Sequence, residues 1–393
     1  MDAVMLNGPR QISIAAIEEP RMLEPTDVLL RLTSTAICGT DLHMYEGRLS
    51  SGSPMVIGHE PLGVVERVGD AVVNVRAGDR VTVPTHICCG FCANCVHGFS
   101  AQCLTNNPGK AGAAYGYPGM GGYTGAQTKL LRVPFGDANC LRLPGEPGDR
   151  WEHDFVLLAD ALPTAFHATQ LVDIHLGDIV VIYGAGAIGL LTLMCAFVRG
   201  ARQVFVVDAI PERLEKAGEL GGVPVDMREG HAVERILEQI ARERSGIAWR
   251  GEDANLGATV CVDAIGFQAR DPNDYAVEKP TSVIADLARL VAPKGRVSII
   301  GVFLDSDPHA PDAAAQRGEY MIPWGSLFKK GVTIGMGRDD DENYNDRLRD
   351  LIVSGRIKPS SIVSHRLPLR DAPDAFAKFD ARSDGYIKVV LEP

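Results

Sequence analysis

The stretch DIVVIYGAGAIGLLTLMCAFVRG, residues 178–200, followed by QVFVVD, residues 203–208, decides the fold of this chain. The unbroken apolar run from Ile179 to Tyr183 reads as a buried strand. Gly184-Ala185-Gly186-Ala187-Ile188-Gly189 then opens a helix that stops at Gly200, and the second strand ends in Asp208, nineteen residues past Gly189. Strand, glycine turn, helix, strand and terminal acid together predict a dinucleotide-binding unit. Gly184 makes the tight turn. Gly186 admits a pyrophosphate to the helix N-terminus, where Ala187 and Ile188 form the first turn, and Gly189 lets helix and strand approach closely. Asp208 accepts hydrogen bonds from ribose hydroxyls and repels a 2′-phosphate. Ala209 follows it with no adjacent arginine, so NAD is expected in preference to NADP, with Arg213, the nearest guanidinium, as the residue that weighs toward NADP.

Outward from this unit toward the C-terminus the alternation continues. ATVCVDAIG (258–266) reads as strand and turn, SVIADLARLV (282–291) as helix, GRVSIIGVF (295–303) as strand and VTIGMG (332–337) as the last strand. Alternating β and α segments predict a doubly wound parallel sheet. A polar insertion, LDSDPHAPDAAAQRGEYMIP (304–323), interrupts it. The tail holds two helical stretches and a strand, YIKVVLEP, expected to return to the first domain.

Toward the N-terminus the pattern changes to short apolar runs between turn residues: AVML, ISIAAI, DVLLRLTSTAI, PLGVVERVG and GDRVTVPTHI. They predict a small barrel-like β domain, with glycines at the corners. Residues 107–126, NPGKAGAAYGYPGMGGYTGA, have no helix signal after their glycines and read as a loop, either packed closely near the active site or simply on the surface.

Two groups in this first domain point to metal. Cys38-Gly39-Thr40-Asp41-Leu42-His43 reads as a loop and lies about twenty residues before Gly58-His59-Glu60. A catalytic zinc takes three protein ligands from thiolate, imidazole and carboxylate and keeps one position open. Cys38 and His59 can supply two of the three. The other group is Cys89, Cys92, Cys95 and Cys103, a C-x2-C-x2-C-x7-C spacing that closes on one structural zinc with no open position. Cys88 is surplus.

The whole chain sets the limits. Its 393 residues favour two domains. A net charge of −11 argues against nucleic acid or an anionic membrane as partner. The N-terminal stretch lacks the basic start and apolar run of a secretory signal, and nine cysteines without one suggest metal rather than disulfides. The expected setting is the reducing cytoplasm.

CGTDLH, GHEPLGVVERVG, the four-cysteine lobe and GAGAIG with Asp208, in this order, resemble the zinc-dependent medium-chain alcohol dehydrogenase superfamily. AGAAYGYPGMGGYTGAQ, LADALPTAFHA and the insertion with DPHAPDAAAQRG are most similar to its glutathione-independent formaldehyde dehydrogenase and dismutase branch. The resemblance implies a GroES-like, β-rich catalytic domain (1–160, structural lobe 88–103), a Rossmann NAD domain (161–337) and a return to the catalytic domain (338–393). It also implies the third ligand, Asp160, at a position where most of the superfamily has cysteine and this branch has aspartate. From its sequence context alone Asp160 is equally a helix N-cap before Leu162-Pro163-Thr164.

The implied activity is hydride transfer between an alcohol or aldehyde hydrate and NAD, with two zinc ions per chain, one catalytic and one structural. Thr40 and His43 are implied as proton relay, Glu60 as a charge behind the metal or a transient ligand, and Lys388 as a contact to the pyrophosphate. Within the family, formaldehyde dismutation on a tightly bound NAD and polyol or sugar oxidation compete with simple alcohol chemistry. Thr85, in Pro84-Thr85-His86, stands where the family often has a bulky aromatic and predicts room for larger alcohols. The 304–323 insertion resembles a loop that closes over the cofactor. A homodimer or homotetramer is expected. The readings from other classes are a zinc-free quinone reductase and a non-enzymatic NAD-binding protein.

Overall fold

The computed structural model describes residues 1–49, 54–244 and 257–393. The chain divides into two compact units, residues 1–163 with 339–393 and residues 164–338.

The first unit is β-rich. Its main sheet has seven strands, and His365–Pro368, Val389–Glu392, Val28–Ile37, Pro61–Val68, Arg80–Thr82 and Leu141–Arg142 are neighbours in that order. Leu130–Val133 also pairs with Val28–Ile37, the longest of these strands. Val28, Leu30 and Leu32 project alternately inward from it and pack on Val65, Val81, Val83 and Val133. That period of two is what a sheet with one face on a core requires, and each such side chain contributes about 1.5–3 kcal/mol on burial. A smaller sheet joins Asp2–Gly8 to Gln11–Ala16 and Met55–Val56.

Two registers bring distant segments of this unit together. Val28–Ile37 runs antiparallel to Pro61–Val68 with Thr35 opposite Pro61. The end of the first strand, leading into Cys38, therefore lies beside the start of the second, just after His59 and Glu60. The last strand pairs Val389 with Ile37, so the C-terminal tail does return to this unit and sets Lys388 at the same strand end.

The second unit is a six-stranded parallel sheet. Its strand order is Val223–Asp226, Gln203–Asp208, Ile179–Tyr183, Ala258–Asp263, Val291–Ile299, Thr333–Met336. Every pairing is parallel, and the order is that of the doubly wound dinucleotide fold. Ile179–Tyr183 is buried along its whole length, as a central parallel strand covered on both faces must be. The insertion 304–323 is irregular apart from a short turn at Ala315–Arg317. It is pinned by Phe303 stacked edge-on against Tyr320 and by the Tyr320 hydroxyl donating to the Leu304 carbonyl at 3.1 Å.

Candidate metal centre

Cys38 ends the long strand and caps a short helix, Gly39–Tyr45. The expected metal loop is therefore helical from Gly39 onward. The reason lies in Asp41, whose carboxylate Oδ2 accepts the Cys38 backbone N–H at 2.9 Å and so closes the first turn. Thr40 and His43, three residues apart, share a face of that helix. The Thr40 hydroxyl stands 3.6 Å from the Cys38 sulfur.

Sheet register brings His59 and Glu60 alongside, and Asp160 arrives from a separate direction. It stands immediately before the helix Ala161–Gln170, as an N-cap would, but its Oδ2 lies 3.3 Å from Cys38 Sγ and 3.4 Å from His59 Nε2. The Thr85 N–H donates to the Ala159 carbonyl at 2.8 Å and the Thr85 hydroxyl to the His59 carbonyl at 3.0 Å. Thr85 thereby ties the Asp160 segment to the His59 segment.

Cys38, His59, Glu60 and Asp160 are all buried, with one donor atom of each within 4.8 Å of the others. The spacings fit a zinc ion. Ligands about 2.0–2.3 Å from a tetrahedral metal stand about 3.3–3.8 Å apart. Without a cation the cluster is electrostatically uncomfortable: burial and the neighbouring Asp160 charge push the Cys38 thiol up to about 11. A bound divalent ion inverts that preference and favours the thiolate.

Glu60 points its Oε1 at the Lys388 ammonium, 2.5 Å away, and Lys388 also donates to the Ile37 carbonyl at 3.2 Å. Lys388 is 1% exposed. Its implied contact to a pyrophosphate thus gives way to a buried ion pair with Glu60. Burial raises Glu60 above its ordinary value while the Lys388 charge opposes that rise.

Two further residues escaped the sequence reading. Asp41 Oδ1 lies 3.1 Å from His59 Nδ1, close enough to pair with the ring electrostatically although the two atoms are not aligned as a hydrogen bond. Its signal was the Cys38-x-x-Asp41 capping spacing. Tyr117 packs its ring 5.2 Å from the His59 ring, and nothing in the sequence marks it beyond its place in the glycine-rich loop. That loop packs closely, as one of its two readings had it. The Ala126 and Gln127 N–H groups donate to the Gly58 and Ile57 carbonyls, and a Cβ on Gly125 would stand 2.4 Å from the Ile57 oxygen.

In the lobe, Cys89, Cys92, Cys95 and Cys103 converge, with sulfur separations of 3.8 Å for Cys89–Cys95 and 3.4 Å for Cys92–Cys95. Backbone N–H groups of Cys92 and Leu104 and the Thr105 hydroxyl point at the sulfurs. Cys88 stays outside, its backbone held on both sides by the Asn139 amide. All nine cysteines are unpaired.

In the second unit Gly184 has φ +98°, and a Cβ on Gly189 would meet the Gly184 carbonyl oxygen at 1.7 Å. Gly186 caps the helix Ala187–Val198. The N–H groups of its first turn, including those of Ala187 and Ile188, have no partner within the helix. The Asp208 carboxylate accepts from Ala185, Ala209 and Ile210 N–H at 2.6–3.0 Å. Arg213 brings a guanidinium nitrogen to 3.7 Å from where a Gly186 Cβ would be.

Residues 24–145 match the alcohol dehydrogenase GroES-like domain. The chain is 35% identical to a glutathione-independent formaldehyde dehydrogenase of Pseudomonas aeruginosa over 388 residues, covering 96% of this chain and 94% of that one. It is 31% identical to a formaldehyde dismutase of Pseudomonas putida, covering 100% and 97%. Among solved structures, an alcohol dehydrogenase from Thermus sp. ATN1 superposes with a TM-score of 0.81 at 32% identity, covering 100% and 99%. No helix among the described residues is long and apolar enough to cross a membrane.

Proposed function

The chain belongs to the zinc-type alcohol dehydrogenase family, and from that premise we propose that it is an NAD-linked, zinc-dependent dehydrogenase of small alcohols or aldehyde hydrates. The observation that carries this reading is the convergence of Cys38 Sγ, His59 Nε2 and Asp160 Oδ2 at tetrahedral spacing. A zinc ion held there supplies Lewis-acid polarisation of the substrate oxygen, and the dinucleotide supplies the hydride acceptor.

The remaining work falls to the chain's own side chains. As Thr40 Oγ1 accepts the proton leaving the substrate hydroxyl it releases its own, which passes by way of the cofactor ribose hydroxyl to His43, on the same helix face, and from there to solvent. Asp41 places a carboxylate beside His59 Nδ1. Thiolate and carboxylate together balance a divalent charge, and the Glu60–Lys388 pair adds no net charge behind them. Asp208, already oriented by three N–H groups, keeps lone pairs for a ribose hydroxyl and repels a 2′-phosphate. The guanidinium of Arg213 lies beside Gly186 and is the one feature that keeps NADP in the assay, since an arginine near this turn can accommodate a 2′-phosphate.

The direct experiment is a panel of alcohols, polyols and aldehydes assayed with NAD, with NADP and with neither, alongside metal analysis of the purified protein. Zinc-dependent oxidation with a preference for NAD is expected; equal turnover of metal-free protein overturns the reading. Formaldehyde dismutation on a retained NAD is the second reading, favoured by the likeness to formaldehyde dismutase. It requires turnover of aldehyde alone and release of NAD(H) when the protein is denatured.

A further inference from the structure

A second histidine–carboxylate cluster lies in the first unit, outside the ligand set already described. His86 follows Thr85, and the run Asp339-Asp340-Asp341-Glu342 opens the segment that re-enters this unit. One donor atom each of His86, Asp339 and Asp341 lies within 4.8 Å of the others, and all three residues are buried. His86 Nδ1 is 3.2 Å from Asp341 Oδ2. Two ligands held about 2.0–2.1 Å from a tetrahedral metal stand about 3.3 Å apart, so this pair has the length of a coordination edge.

Two carboxylate oxygens of the cluster point to a missing partner. Asp339 Oδ2 and Asp341 Oδ1 are enclosed and accept no hydrogen bond, although their residues are only 3% and 0% exposed. Native proteins leave few such acceptors orphaned, and a buried carboxylate without a counter-charge costs several kcal/mol. The other polar neighbours do not fill the gap. Asp340 turns instead to Ala101 N–H and Ser100, and Glu342 to the Ser100 hydroxyl. Burial first, then the Asp341 charge beside Asp339 and the Glu342 charge beside Asp341, hold both carboxyls well above the usual carboxylate range, although a hydrogen bond from Asp339 opposes the rise at Asp341.

We propose that His86, Asp339 and Asp341 form a third cation site, which takes a divalent first-row metal, zinc or manganese, through one imidazole nitrogen and two carboxylates. Imidazole suits zinc and carboxylate suits manganese, and the set contains no thiolate. The cation fastens Asp339, where the returning chain begins, to the segment bearing Thr85, which in turn holds the His59 and Ala159 backbones. The site does not depend on the dehydrogenase reading, since it shares no ligand with Cys38, His59 and Asp160.

The test counts metal in the intact protein. Zinc-loaded protein, freed of loose metal by gel filtration, is expected to hold three equivalents per chain, one for each cluster. The double variant Asp339→Asn/Asp341→Asn is expected to hold two. Equal metal content in the unaltered protein and the variant, whatever the total, overturns the site. Because the variant can fail to fold, cobalt(II) and manganese(II) are also titrated into unaltered protein that retains its two thiolate-bound zincs. Cobalt absorption without a thiolate charge-transfer band, or one equivalent of manganese retained on the column, supports a site of nitrogen and oxygen ligands only. A charge-transfer band alone, or neither metal bound, overturns it and leaves His86 bridging two carboxyls that share a proton.

Discussion

The four-cysteine lobe and the Cys38–His59–Asp160 cluster occupy the same unit and both gather residues able to hold a metal, yet they are built in opposite ways. The lobe draws Cys89, Cys92, Cys95 and Cys103 from fifteen residues of chain, with only short helical turns, Ala93–Val96 and Ser100–Gln102, between them. The cluster draws Cys38, His59 and Asp160 from positions up to 122 apart, and sheet register and the start of a helix place them. One is a closed knot that the ion ties; the other is an open seat that the fold prepares. Metal loss is therefore expected to unfold the first and silence the second.

The largest effect is predicted at the lobe. Cys103→Ala removes a fully buried cysteine from the proposed structural site, and where metal binding is coupled to folding such sites contribute on the order of 10 kcal/mol. Insoluble protein, or a thermal midpoint lower by roughly 10 °C or more, is expected by calorimetry. Cys38→Ala gives the contrasting outcome. One zinc is lost and kcat/KM falls by about 10⁴-fold, roughly 5.5 kcal/mol, while the midpoint moves by only a few degrees and NAD still binds. If the two variants behaved alike, the distinction between knot and seat would fail.

That same distinction explains what was legible in the sequence. The lobe was readable because its ligands are neighbours and their spacing is itself the geometry. The dinucleotide turn was readable for the same reason: Gly184, Gly186, Gly189 and Asp208 act through local backbone, and the structure has the strands Ile179–Tyr183 and Gln203–Asp208 around them. The catalytic seat was readable only in part. Cys38 and His59 announce themselves as residue types, but Asp160 depends on a contact 122 positions away, and only a family resemblance supplied it. Lys388 was misplaced because a lysine in a strand carries no sign of its partner; the register of Val389 with Ile37 decides that it faces Glu60. Tyr117 was missed outright, since the glycine loop that delivers it has no periodicity to read.

The Glu60–Lys388 pair sharpens the comparison from inside the seat. If the fold and not the metal holds the cluster, breaking this pair must cost stability even in the zinc-free protein. Glu60→Gln keeps an oxygen for the Lys388 ammonium but removes its paired charge, and a loss of about 3–5 kcal/mol is expected in urea unfolding. The double variant Glu60→Gln/Lys388→Met is expected to recover most of it, because removing both charges removes the uncompensated one. A single variant as stable as the unaltered protein would show that water reaches Lys388 and that the seat is looser than its burial implies.

The smallest predicted effect belongs to Asp41, and it tests how finely the seat is prepared. This carboxylate does two things at once: Oδ2 closes the first helical turn on the Cys38 N–H, and Oδ1 faces His59 Nδ1. Asp41→Asn keeps an oxygen for the turn but weakens the charge behind the imidazole, so the fold is expected to survive. Outer partners of this kind are typically worth about 10–100-fold in metal affinity or activity. Catalytic zinc should therefore dissociate to a chelator at roughly 10–100-fold lower concentration than from the unaltered protein, with the lobe zinc retained. Asp41→Ala removes both contacts, and its additional loss of stability measures the turn alone. Should Asp41→Asn release both zincs together, the two regions would be coupled, and the division between a metal-tied lobe and a fold-prepared seat would have to be abandoned.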